Sequence, residues 1–286
     1  MTATALALVI CAAVLHAAWN ALAKRGREPL AFLWLASMVA TPAFFPFAAR
    51  ELSSSGLPMR AVPFVIGTVL LHAVYFYSLG RAYATGAYSV VYPIARGLGV
   101  ALVPIVAWML LDERLSPLGV AGIALVIVGV LVLHRVGGRR VAVSAGALGS
   151  ASLWAVVTGL TIASYSVLDK VGVTRLHPVP YIFLMEAGCV VAFTPFMLRR
   201  LGAARAEWAA NRWTIMATGV MSAGGYTLVL FAFQLSKAGY VVASRELSIV
   251  LSALIGSLLL GEGRLSPRLG AATIVLAGVA CVALAR

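Results

Sequence analysis

The chain has 286 residues, 62% of them hydrophobic and only 11% charged, with a net charge of +13 and a mean hydropathy of +1.00. A soluble domain carries roughly 25% charged residues, so this composition cannot coat itself in water and argues against an ordinary soluble enzyme or binding module. The positive charge does not indicate a nucleic-acid partner: Lys24, Arg25 and Arg27, then Arg135, Arg139 and Arg140, then Arg199, Arg200 and Arg205 form short clusters between apolar runs, the pattern of loop anchors at a bilayer surface.

A spanning helix needs ~20 apolar residues. Ten such spans are predicted, at about 3–23, 29–49, 61–80, 87–111 and 116–134, then 145–168, 178–198, 212–235, 238–260 and 266–285. The first is expected to be a retained span, because Met1 to Thr4 carry no basic residue of the kind that opens a signal peptide. Turn and charge signals mark the boundaries, among them Pro29, Pro58, Pro117, Pro178 and Pro267. Proline is tolerated at a helix start because its missing N–H would be unpaired there anyway.

An internal repeat organises these spans. Leu110-Leu111-Asp112-Glu113-Arg114-Leu115-Ser116-Pro117 leads into the fifth, and Leu259-Leu260-Gly261-Glu262-Gly263-Arg264-Leu265-Ser266-Pro267 leads into the tenth. Lys24 and Lys170 follow the first and sixth spans, and Pro29 and Pro178 open the second and seventh. The expected organisation is an all-α integral membrane protein of two five-helix units, 1–136 and 137–286. An odd number of spans per unit makes the second unit enter the membrane from the opposite side. Inverted repeats of this kind are the structural basis of alternating-access carriers.

Charge inside a bilayer is costly, so ionisable residues within spans are candidate functional groups. Four strongly ionisable residues fall clearly inside the predicted spans, away from their ends: Arg96, Glu186, Arg245 and Glu246. Tyr88 and Tyr92 share a helix face with Arg96, and Pro93 would free a backbone carbonyl there. This face either holds an anionic substrate group or staples the bundle through a carboxylate such as Glu246. Arg245 and Glu246 are neighbours on one helix, so they are expected to reach different partners, near a polar stripe of Ser244, Ser248 and Ser252. His16, Trp19 and Asn20 form one face of the first span, and His72 with Tyr75 one face of the third; each histidine is either a proton carrier or a satisfied packing residue. Tyr165 and Tyr226 are read as cavity aromatics or as interface markers. Glu186 falls on a span expected to be peripheral, and His134 and His177 read as solvated.

Cys11, Cys189 and Cys281 are isolated, with no metal-ligand spacing. No HExxH, GxSxG or Walker motif is present, so neither covalent chemistry nor a cofactor is expected.

The Glu113 and Glu262 motifs, and the opening His16-Ala17-Ala18-Trp19-Asn20-Ala21-Leu22-Ala23-Lys24, resemble the EamA-like repeat of the drug/metabolite transporter superfamily. The resemblance covers nearly the whole chain in two copies, with Gly263 as an insertion in the second motif. It implies ten helices in two inverted EamA-like repeats around a central cavity, in a multi-pass protein of the cell (inner or plasma) membrane. It places both termini in the cytoplasm, whereas the denser Lys and Arg of the opposite loops favour the reverse. The expected function is secondary export of a small polar or amphipathic metabolite, amino-acid-like or similar, by alternating access. The expected partners are that substrate, the bilayer and, as a coupling ion, protons, with a monomer or homodimer as the working unit. The expected binding set is His16, Trp19, Asn20, His72, Tyr75, Tyr88, Tyr92, Arg96, Tyr165, Tyr226, Arg245 and Glu246. The rival readings are a lipid flippase or scramblase and a non-transporting scaffold or sensor.

Overall fold

A computed structural model describes the backbone of residues 1–23, 26–85, 88–137, 145–251 and 265–285; side chains at 83–85, 88–90, 92–93, 134–137, 145–151 and 265–268 fall outside the description. The first repeat holds α1 (Ala3–Ala23), α2 (Pro29–Ser55), α3 (Val62–Thr85), α4 (Tyr88–Leu111) and α5 (Pro117–Gly137). The second holds α6 (Ala145–Gly172), α7 (Pro178–Leu198), α8 (Leu201–Leu235), α9 (Ala238–Arg245) and α10 (Leu265–Leu284). Seven of these helices are long and apolar enough to cross a membrane. Within α5 and α10 the apolar stretches Pro117–Leu133 and Leu269–Leu284 are shorter.

The packing obeys the exchange expected of inverted repeats. Helix α1 packs on α8 and α6 packs on α3, which are the same contact with the repeats interchanged. Helix α2 meets α7, α4 meets α9, and α5 meets α10, each element contacting its own counterpart. At the α5–α10 crossing, a Cβ added to Gly122 would stand 2.7 Å from the Gly278 carbonyl oxygen, and one added to Gly278 would stand 2.7 Å from that of Gly122. Lipid tails are as apolar as leucine, so helix association in a bilayer depends on such close backbone approach.

Several boundaries differ from the sequence expectation. Helix α2 continues to Ser55 through Pro42 and Pro46, and α3 to Thr85. Helix α6 runs past 168 to Gly172, bringing Asp169 and Lys170 into the helix. The expectation of four ionisable residues within the spans is therefore too low. Helix α8 starts at Leu201 rather than at 212 and kinks at Asn211, whose φ of −130° is non-helical. Its first leg carries Arg205, Glu207 and Trp208, and Arg212 with Trp213 follow the kink, a composition suited to the headgroup zone. Helix α9 is not continuous to 260: it stops at Arg245, and helical backbone resumes over 247–251.

Among the described residues, each end of the bundle shows its own set of polar contacts. At the end carrying both termini, Asp112 takes a left-handed φ of 50° and closes α4; in the second repeat the matching residue is Gly261, by sequence. Glu113 then accepts the Ala238 N–H at 2.7 Å through Oε2, capping the N-terminus of α9, where the helix dipole favours a carboxylate. Lys170 Nζ lies 3.5 Å from Glu113 Oε1; it donates to the Ser236 carbonyl at 2.7 Å and also to that of Phe233. Lys237 donates to the Arg114 carbonyl at 2.5 Å, and the Ser116 N–H donates to the Tyr240 hydroxyl at 3.1 Å. This clasp ties the α4–α5 connection of one repeat to α6, α8 and α9 of the other. The corresponding Lys24 and Glu262 of the opposite end lie outside the described residues.

At that opposite end the first leg of α8 folds over the start of α2. Glu207 is buried and its Oε2 accepts the N–H groups of Arg27 and Glu28 at 2.9 and 3.0 Å. Asn211 donates to the other oxygen at 2.6 Å. Pro29 at the helix start leaves no donor of its own, so the carboxylate serves the two residues just before it.

Candidate functional site

A cavity opens at mid-depth between the repeats, lined on one side by His72, Tyr75, Tyr165, Tyr226 and Arg245 and on the other by small residues of α1, α2 and α8 such as Ala12, Ala36 and Gly219. The aromatic wall is continuous. His72 lies 4.3 Å from Tyr165, 5.6 Å from Tyr226 and 6.4 Å from Tyr75, centroid to centroid. Helices α3, α6 and α8 supply these rings, so the cluster straddles the repeat boundary. His72 Nδ1 is held within its own helix, 2.9 Å from the Thr68 carbonyl, which fixes the ring against the cavity.

A second chamber shares His16, Trp19, Leu33, Tyr75 and Phe76 with the first and extends along Asn20, Ala23 and Pro29. It therefore leads away from the clasp, toward the α1–α2 end. His16 and Trp19 stand edge to face at 4.9 Å and line both chambers. Asn20 turns one amide hydrogen back to the His16 carbonyl at 2.7 Å and faces the outer chamber.

Arg96 and Glu246 form a two-point pair, with Nη2 to Oε1 at 2.6 Å and Nε to Oε2 at 3.3 Å. Both are buried, Glu246 almost completely. The pair joins α4 to the break after α9, and Arg96 also lines the outer chamber. Ser244 and Ser248 flank the break with buried hydroxyls that lack a hydrogen-bond partner among the described residues; Ser252 lies outside them. Arg245 departs from its neighbour as the helical geometry requires. Its guanidinium sits over the Tyr226 ring at 5.4 Å and beside the Tyr165 hydroxyl, an arrangement suited to cation–π attraction. No carboxylate pairs with Arg245 among the described residues.

Of the expected set, His16, Trp19, His72, Tyr75, Tyr165, Tyr226 and Arg245 meet at the central cavity. Asn20 and Arg96 lie in the outer chamber, and Glu246 stands behind Arg96. The side chains of Tyr88 and Tyr92 fall outside the described residues. Tyr165 and Tyr226 are cavity residues rather than interface markers, and His177 caps α7 by accepting the Val179 N–H.

Two acids change role. Glu186 was expected on a peripheral span, but α7 packs against α2 and α3 and turns this carboxylate into the central cavity, where it is buried and bonded to Ser37. Asp169, read by sequence as lying past a helix end, is fully buried and accepts from the Tyr181 hydroxyl at 2.7 Å and the Tyr226 hydroxyl at 2.5 Å. It therefore positions Tyr226 beneath Arg245. The sequence signal available for Asp169 is its place beside Lys170, four residues beyond Tyr165 and three beyond Ser166 on an unbroken helical pattern.

The comparisons agree with this architecture. The profile of the EamA-like transporter family matches residues 3–135 and again 149–284. The multidrug transporter PA4990 of Pseudomonas aeruginosa is 33% identical over 103 residues, which is 36% of this chain and 90% of that protein. A solved crystal structure superposes on 99% of this chain and 98% of its own with a TM-score of 0.75, at 17% sequence identity, a likeness of fold.

Proposed function

The chain belongs to the EamA-like transporter family, and from that premise we propose that it is a secondary exporter of a small polar or amphipathic metabolite, working by alternating access. The observation that carries this reading is the cavity between the repeats, which continues into a chamber toward the α1–α2 end, away from the contacts that Glu113, Lys170 and their partners make at the other end. A central cavity between inverted repeats suits a carrier whose two arrangements expose it to opposite sides. The relative named as a multidrug transporter supports a small-molecule substrate. His16 and His72 line the cavity, and histidine is the side-chain type that serves as a proton carrier in such sites.

The test is counterflow in proteoliposomes holding the purified chain, preloaded in turn with amino acids and with cationic dyes. Uptake above that of empty vesicles is expected for at least one class, with stimulation by an imposed pH gradient if protons are coupled. Movement of headgroup-labelled lipid without solute flux would support a flippase instead. No flux of either kind, with the protein folded, would leave a scaffold.

A further inference from the structure

Away from the central cavity, a groove of about 450 Å³ runs between α4 and α5 and opens to the outside of the bundle. Ile123, which is buried, and Ile127 form its floor. Ala101 and Ala124 are too small to fill the space between the two helices, and Pro104 packs beside Gly239 of α9. Ile105, Trp108 and Val120 make the walls, each about half-exposed. The groove follows α4 from Trp108 back to Ala101 and α5 from Val120 to Ile127. Seven residues on each helix make it roughly 10 Å long.

Its mouth is the connection between the helices, and that mouth is basic. Arg114 lines the groove and is exposed; its contact with Asp112, at 3.3 Å between two largely exposed side chains, is a weak surface pair. Lys237 donates to the Arg114 carbonyl and so sets a second positive charge beside it. Glu113 also lines the groove, but its carboxylate is committed to the Ala238 N–H and to Lys170. Tryptophan and arginine at a helix end are the residues that sit at headgroup level in a bilayer.

We propose that this groove is a binding site for an anionic phospholipid, with an acyl chain along Ala101, Pro104, Ile123 and Ala124 and the headgroup phosphate on the Arg114 guanidinium. The site stands apart from the central cavity and is independent of which solute crosses. The planar fork of the guanidinium matches two phosphate oxygens, and exchanging Asp112 for them costs little because the existing pair is solvated. The apolar walls hold the chain of any lipid, whereas the cations at the mouth select the anionic headgroup. A second copy seated here by a two-fold along the membrane normal would bring the same cations to the same depth on both sides of the contact, which disfavours that occupant.

The full chain is reconstituted in vesicles of phosphatidylcholine and phosphatidylglycerol, with bromine near the headgroup end of the chains of one lipid or the other. Bromine quenches a tryptophan that touches the chain, and Trp108→Phe measured in parallel subtracts the remaining tryptophans. Quenching of Trp108 should favour phosphatidylglycerol by roughly fivefold or more in relative affinity, the value of one cation near an anionic headgroup. Arg114→Gln should remove most of that preference while leaving quenching by phosphatidylcholine in place. Ala124→Phe, at an exposed position, fills the groove and should lower quenching by both lipids; melting curves check that each variant is folded. Equal quenching by the two lipids in the unaltered protein, a preference unmoved by Arg114→Gln, or quenching unmoved by Ala124→Phe would each overturn the site. Protection of Trp108 from both lipids, with Ile105→Cys cross-linking between copies in a background without the native cysteines, would overturn it in favour of a second copy.

Discussion

At the scale of single residues, the Arg96–Glu246 pair separates structural from substrate-binding roles. Both side chains are buried, and their two-point geometry joins the repeats. Removing one partner leaves the other charged and desolvated, so Arg96→Met alone should cost about 3–5 kcal/mol of stability. The double variant Arg96→Met with Glu246→Met should recover most of that loss, because two apolar side chains of similar size replace the pair without an orphaned charge. Melting temperatures in detergent read both effects. If the single and double variants lose the same stability, the pair is not an energetic unit. The sequence made this pair visible, since two opposite charges within apolar runs have few places to go. It shows Glu186 as an ionisable residue within a span but not that it faces the cavity, because the rest of α7 is almost wholly apolar and offers no periodic signal of which face turns inward. Nor did it place Asp169 within a span: an Asp-Lys dipeptide after a long apolar run reads as the water boundary. Only the tertiary fold shows two tyrosine hydroxyls converging on that carboxylate.

At the scale of elements, the least legible feature is the first leg of α8. Arg199, Arg200 and Arg205 read as a loop because membrane helices are recognised by apolar length, and this leg is too polar to qualify. The structure makes it a helix lying against the start of α2, with Glu207 as its working contact. Glu207→Ala should therefore destabilise the protein by about 1–2 kcal/mol, the cost of losing a helix-start acceptor, although the residue lies outside both chambers. Glu207→Gln should retain part of the effect, since the amide oxygen still accepts one N–H. Thermal unfolding followed by tryptophan fluorescence measures both, and an unchanged melt for Glu207→Ala would refute the capping role. The other elements were well marked. Pro29, Pro117 and Pro178 each begin a helix as their missing N–H allows, and the Arg-Leu-Ser-Pro motif fixed the repeat.

At the scale of the whole molecule, the proposed alternating-access cycle makes the clasp the set of contacts that must break for its end to open. Lys170 reaches Glu113 and two carbonyls near the end of α8, and these contacts must break if that end opens. Lys170→Met should move the population toward the form open at the clasp. Spin labels at Arg114→Cys and Thr174→Cys, both exposed and on connections of different repeats, read this in a background without the native cysteines. A longer-distance component should grow in the variant. An unchanged distribution in a folded protein would mean that the clasp does not hold the end shut.

The crossing of α5 and α10 has a consequence for how the chain is made. Gly122 on the fifth helix meets Gly278 on the last, and the two helices are separated by the whole second repeat. During synthesis the glycine groove of α5 is inserted early and stays unfilled until the final helix leaves the ribosome. This contact waits for the end of translation, as do those of the Met1 ammonium with the Ala283 and Ala285 carbonyls. Its closure therefore marks completion of the polypeptide, and a chain cut short before α10 would leave the glycine groove of α5 without the helix that fills it.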